Sequence, residues 1–168
     1  MDTSGRFKIN LTDLPDTGES HCWHLDDTFF DELDEQEIKH GSLDATLRVN
    51  RKSGAYELDF RVKGEVSIPC NRCLEPMVQT IDTQATLEAK LGEQDEDDGD
   101  VITVATIPGV LDVAWNLYEI IALAIPIYHV HPDGECSDDI NALFAEEQDD
   151  DSPTDTRWDA LKALLEKS

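Results

Sequence analysis

The sequence predicts an α+β domain: a mainly antiparallel β-sheet or partly open barrel, one buried helix and a C-terminal amphipathic helix. Three observations predict it. Apolar residues alternate with period two through much of the first 106 residues. Glycine- and proline-containing turns separate those runs. Helical spacing takes over only from Asp112 onward.

In chain order, Phe7, Ile9 and Leu11 share one face, a turn region around Pro15 and Gly18 follows, and Trp23 and Leu25 share a face again. This spacing predicts a first hairpin. A clearer one follows Gly41: Leu43, Ala45, Leu47 and Val49 alternate, Ser53-Gly54 turns the chain, and Tyr56, Leu58, Phe60 and Val62 alternate back. Val66 and Ile68 keep that phase. A further strand is expected from about Val78 to Leu91, with Ile81, Thr83, Ala85, Leu87 and Ala89 on one side, and a last one from Val101 to Thr106. Between them, six of the eight residues Glu93 to Asp100 are acidic, so that stretch reads as a solvated loop.

From Asp112 to Ile125 the apolar residues Val113, Trp115, Leu117, Ile120, Ile121, Leu123 and Ala124 recur at helical spacing. A buried helix is expected, capped by Asp112 and stopped by Pro126. Asp138 to Asp155 holds eight acidic residues and no basic one, a composition that favours a mobile segment. The expected organisation is one domain over residues 1–145, an acidic linker over 146–156 and a terminal helix over 157–168. In that helix Trp158, Leu161, Leu164 and Leu165 fall on one face, with Lys162 and Lys167 toward the C-terminal end, where cations suit the dipole. Packing back on its own domain and docking on a partner are equally open for it.

The 168 residues suffice to bury roughly 70% of the unfolded surface, so neither metal nor disulfide is required for folding. With 38 acidic and 13 basic residues the formal charge is −25, which repels phosphate backbones and excludes nonspecific nucleic-acid binding by the whole surface. The longest apolar stretch, Ile120 to Ile127, falls far short of the roughly 20 residues that span a bilayer. No basic region followed by an apolar core opens the chain, so no membrane contact is expected and a cytoplasmic location is. In a reducing compartment, Cys22, Cys70, Cys73 and Cys136 point to metal binding or plain burial rather than disulfides.

Cys70-Asn71-Arg72-Cys73 follows a strand directly and is bracketed by Pro69 and Pro76, so a tight turn presents both sulfurs to one ion. That is half of a tetrahedral zinc site. The second half lies in His129-Val130-His131-Pro132-Asp133-Gly134-Glu135-Cys136, where Pro132 and Gly134 mark a turn that brings His131 and Cys136 together. The favoured ligand set is Cys70, Cys73, His131 and Cys136, with His129 competing for the place of His131 and Cys22 a weaker substitute. Reduced structural cysteines without metal and a redox pair of Cys70 and Cys73 are the alternatives. The redox reading suffers because a helix opening at Cys70, whose dipole would activate the thiol, would carry Pro76 in its interior.

No phosphate-cradling glycine loop, HExxH or GxSxG occurs, and a zinc with four protein ligands is closed to substrate, so neither an enzyme nor a small-molecule substrate is expected. Arg48, Arg51, Lys52, Arg61, Lys63 and Arg72 place six of the 13 cations in one stretch, against Glu57, Asp59 and Glu65. A direct RNA contact through Arg48, Arg51, Lys52, Arg61 and Arg72 competes there with cross-strand charge pairing and edge protection, and the pairing is favoured.

Val66-Ser67-Ile68-Pro69-Cys70-Asn71-Arg72-Cys73-Leu74-Glu75-Pro76 resembles the strand and CxRCLE signature of the bacterial large ribosomal RNA subunit accumulation protein YceD family. Leu123-Ala124-Ile125-Pro126 resembles the family's helix ending in leucine-x-x-proline before a cysteine-bearing turn, and Asp155-Thr156-Arg157-Trp158-Asp159-Ala160-Leu161 resembles its D-P-R-W-x-x-L tail with threonine for proline. The resemblance runs over roughly residues 43 to 165. It departs at His131, which stands where the family pattern has a cysteine.

The resemblance implies a non-enzymatic factor in the synthesis, processing or stability of large-subunit ribosomal RNA. Charge suggests the partner: ribosomal proteins are basic, and an acidic domain with a tethered helix carrying Trp158 and Leu161 suits a basic large-subunit ribosomal protein or a pre-ribosomal particle. Ribosomal RNA would then be touched locally or indirectly.

Overall fold

The computed structural model describes residues 5–15, 17–33, 38–93, 96–97, 101–132 and 134–136. The chain divides into two units, residues 1–130 and 131–168. The first is built on a six-stranded sheet of order β2-β3-β4-β5-β7-β6 and a two-stranded ribbon of β1 and β8, and neither closes into a barrel. The expected C-terminal helix, with Trp158 and Leu161, lies outside the described residues.

The long hairpin follows the alternation. β3 (His40–Lys52) and β4 (Ala55–Pro69) pair antiparallel with Lys52 opposite Ala55, so Ser53 and Gly54 alone make the turn, with Gly54 at φ 87°. Leu43, Leu47, Leu58, Phe60, Val62, Val66 and Ile68 are buried on the inner face. β5 (Pro76–Gly92) pairs back on β4 and buries Ile81 and Ala89. β2 (Glu19–Leu25) lies on the other side of β3 and buries Leu25.

Four features depart from the sequence reading. β1 (Lys8–Asn10) keeps Ile9 buried as expected but does not form a hairpin with β2. β2 pairs with β3 as the edge strand of the large sheet, and β1 pairs with β8 (Val110–Asp112), a strand too short to show alternation. Bonds from Leu11 N–H to Gly109 O and from Val113 N–H to Phe7 O extend that ribbon at both ends. Second, the sheet is not wholly antiparallel: β7 (Val101–Ala105) runs parallel to β5. The acidic stretch is the return crossover, and within it β6 (Glu96–Asp97) pairs with the far side of β7.

Third, a helix absent from the sequence reading, α1 (Asp27–Leu33), buries Phe29 and Phe30 in a short, largely acidic segment. Fourth, α2 spans Ala114–Ala124 rather than Asp112 to Ile125. Asp112 ends β8, and its carboxylate accepts the Ala114 N–H at 3.0 Å, so it serves the helix start from one residue outside the N-cap, Val113. Ile125 is extended, as a residue before proline must be. Leu117, Ile120 and Ile121 are buried, whereas Trp115 and Leu123, expected on the buried face, are 45% and 86% exposed. No helix among the described residues is long and apolar enough to cross a membrane.

Asp27 ties the start of α1 to the start of β3. Its carboxylate accepts the Gly41 N–H at 3.0 Å and lies 3.1 Å from His40 Nδ1, and these two contacts, the backbone bond first, hold its pKa below the ordinary aspartate value. A depressed folded-state value means the contacts add stability above the unfolded aspartate pKa of about 3.9 and lose it as pH falls through the lower folded value. Asp27→Ala should therefore melt earlier than wild type at neutral pH. The difference in melting temperature should narrow below about pH 4.

Candidate functional site

The turn between β4 and β5 is built by its own backbone. Pro69 pairs with Pro76 across its base, Cys70 N–H donates to Glu75 O at 2.9 Å, and Leu74 N–H donates to Cys70 O at 3.0 Å. Inside the loop, Arg72 N–H points at Cys70 Sγ, 3.4 Å away. Cys70 is fully buried and Cys73 half-buried. The CNRC segment is thus a strand-to-strand turn and opens no helix, so no helix dipole acts on Cys70.

Residues following α2 lock onto this turn. Asn71 N–H donates to His129 O at 2.9 Å, and His129 N–H donates to the Asn71 side-chain oxygen at 2.8 Å. The His129 ring is spanned between two carbonyls, Nδ1 2.8 Å from Pro126 O and Nε2 3.1 Å from Pro69 O. The ring thus bridges two backbone carbonyls, one on each side of the contact with the turn. Sequence spacing favours His131 as the ligand, with His129 as its competitor.

In the second unit, Glu135 N–H donates to Pro132 O at 3.0 Å, closing the expected turn, and Cys136 Sγ lies 3.9 Å from His131 Nδ1. Among the described residues, Cys70, Cys73, His131 and Cys136 group so that their ligand atoms all lie within 4.8 Å of one another, within range for holding a metal ion. Cys22 is not part of the group; it is exposed on β2, with its sulfur 3.8 Å from Thr46 Oγ1.

The basic residues of the hairpin are spread along it. At the tip, Lys52 pairs with Glu57 at 3.2 Å and Arg51 lies over the Tyr56 ring at 5.9 Å. Lys63 pairs with Asp82 across β4 and β5 at 2.7 Å. Asp59 is engaged by Asn50 and Thr86. Arg48 and Arg61, exposed on the outer face of β3 and β4, line a shallow groove with Thr46, Asp59, Gln84 and Thr86, and Asp59 stands opposite Arg48. Arg72, half-buried in the CNRC turn, sits at the opposite end of β4 from the tip.

One residue of the signature takes a backbone conformation that the sequence does not announce. Leu74 takes φ 62°, a left-handed conformation that costs an L-residue about 1–2 kcal/mol, and its side chain is 77% exposed. Ile127 and Tyr128, between α2 and His129, are 100% and 68% exposed. Positive φ at a leucine follows no composition rule, so only the backbone geometry reveals it.

A family model described as large ribosomal RNA subunit accumulation protein YceD matches residues 58–165. No curated protein and no solved structure matches the chain. The matched segment carries most of β4, the CNRC turn, β5, α2 and the His131 to Cys136 turn, well over half of the sequence. The chain belongs to the YceD family of large ribosomal RNA subunit accumulation proteins.

Proposed function

We propose that this chain supports the accumulation of large-subunit ribosomal RNA without catalysis, by holding a basic large-subunit ribosomal protein or by docking through one on a pre-ribosomal particle. The observation that carries this reading is the charge of −25 in a member of this family. An anionic domain attracts a free ribosomal protein at long range and repels competing phosphate. In the same reading Cys70, Cys73, His131 and Cys136 hold a structural zinc that fixes the CNRC turn; four protein ligands leave no open position for substrate.

Binding of individually purified large-subunit ribosomal proteins to the full chain tests the reading. At least one should bind at low salt and weaken by roughly tenfold or more on raising salt several-fold. Binding to naked ribosomal RNA that does not change with salt would refute it.

A second reading, direct contact with ribosomal RNA, is favoured by one observation: the groove lined by Arg48 and Arg61 offers two guanidinium groups among the hydroxyl and amide groups of Thr46, Gln84 and Thr86, with the Asp59 carboxylate opposite Arg48. Reversing the charge of both should abolish RNA crosslinking if that reading holds, and should leave ribosomal-protein binding intact if the first does.

A further inference from the structure

We propose that the outward face of α2 docks a partner protein segment in which a lysine or arginine is flanked by apolar side chains. The cation sits between Trp115 and Glu119, and its apolar neighbours lie against Leu123. The inference rests on the reading that the client is a basic ribosomal protein, and it names the surface that grips it.

Trp115, Glu119 and Leu123 recur every four residues, so they stand one above another along one face of α2. All three are exposed, whereas Leu117, Ile120 and Ile121 are buried on the side that meets the core. The buried Tyr118 stacks on the Trp115 ring with centroids 5.6 Å apart, which holds the indole in place while much of it stays open to solvent. Beyond Pro126 the chain continues with the exposed Ile127 and Tyr128, so apolar surface extends past the helix end. Single exposed apolar residues are ordinary, but a run of them along one face marks an interaction surface.

The chemistry of the stripe selects its occupant. Glu119 is the only charged residue of α2, and among the described residues it makes no hydrogen bond or ion pair. Covering that carboxylate with a partner is costly unless a cation meets it. One turn away, the indole of Trp115 attracts the same ammonium or guanidinium group. The segment around α2 has no cation of its own, since no Lys or Arg lies between Lys90 and Arg157. Near the helix start, Lys8 stands opposite Asp112 across the β1 and β8 ribbon, and Arg6 donates to His24 O at 2.7 Å. A second copy laid on the stripe would bring Glu119 against Glu119, and lipid or nucleic acid would bring phosphate to the same carboxylate. The local charge therefore favours a cationic segment over each of them.

The experiment compares full-length wild type with Glu119→Lys, Leu123→Gln and a control, Glu88→Lys, reading thermal unfolding and affinity for each purified large-subunit ribosomal protein. Glu88 is exposed on β5 and faces away from the core, so its reversal alters the net charge as much as Glu119→Lys does without touching α2. Glu119→Lys and Leu123→Gln should melt at the wild-type temperature and bind the client at least tenfold more weakly. Glu88→Lys should bind within about twofold of wild type. Equal weakening by the two charge reversals means that overall charge alone holds the client, and it overturns the stripe while the escort reading stands. Wild-type-like binding by Glu119→Lys or Leu123→Gln does the same. A wild type that binds no ribosomal protein overturns both. Self-association of the wild type that Leu123→Gln abolishes assigns the face to a second copy, and a fall in melting temperature in either α2 variant assigns it to the fold. Each of those results also overturns the stripe.

Discussion

Replacing Cys136 with serine should strip the purified chain of about one zinc ion and lower its melting temperature by about 10 °C. In that reading Cys70, Cys73, His131 and Cys136 supply the four ligand atoms. A ligand that binds only the folded chain stabilises it by about 4 kcal/mol when present at a thousand times its dissociation constant. In a chain of this length each kcal/mol moves the midpoint by roughly 2–4 °C. The fold should nevertheless survive, because its core, from Leu43 on β3 through Phe60 on β4 to Leu117 on α2, contains no ligand. Cys70→Ser and His131→Ala should behave like Cys136→Ser in elemental analysis. His129→Ala should keep the metal, since its ring nitrogens face the Pro126 and Pro69 carbonyls, and should lose stability only through those bonds. Wild type purified without zinc, or His131→Ala that retains it, would exclude this ligand set.

The contrast between the two histidines shows where sequence reasoning stops. Both halves of the metal group were legible, because CxxC between two prolines and a His-to-Cys segment with Pro132 and Gly134 each specify a tight turn. His131 was preferred over His129 from the turn that Pro132 and Gly134 mark, whereas the two carbonyls that face the His129 ring left no trace in the sequence. The same division runs through the fold. β3, β4 and β5 were legible because each is half-buried and alternates over a dozen residues or more. The pairing of β1 with β8 was not, since Ile9 and Leu111 are about a hundred residues apart and three-residue strands carry no period. α1 hid in acidic surroundings, although Asp26-Asp27-Thr28 ahead of Phe29 is the kind of polar start that opens a helix. The parallel β5 and β7 pair hid for a related reason: the acidic composition of Glu93 to Asp100 reads as a loop and carries no period that would announce β6.

Gly64→Ala should cost about 2–5 kcal/mol, a large part of the 5–15 kcal/mol that a domain of this kind has in total. Gly64 holds an inward position of β4 between Val62 and Val66, opposite Leu43 on β3 and Ile81 on β5. The alternation reads through it without showing that no side chain fits. Its φ is 149°, and a Cβ built there would lie 2.2 Å from Ser42 O and 2.6 Å from Leu43 Cα. Both are backbone atoms of the paired strand, so relief requires β3 to move away from β4 and lengthen the ladder beside it. Gly54→Ala is the control. At the hairpin tip φ is also positive, at 87°, but nothing lies within 4 Å of the added carbon, so only the backbone penalty of about 1–2 kcal/mol remains. Thermal unfolding of the pair separates collision from conformation, and equal midpoints would show that the contact between β3 and β4 at Gly64 is loose. The damage should also reach the candidate site, because five residues beyond Gly64 the strand ends at Pro69 and delivers Cys70 to the turn. At temperatures where Gly64→Ala is still mostly folded, zinc should dissociate from it faster than from Gly54→Ala.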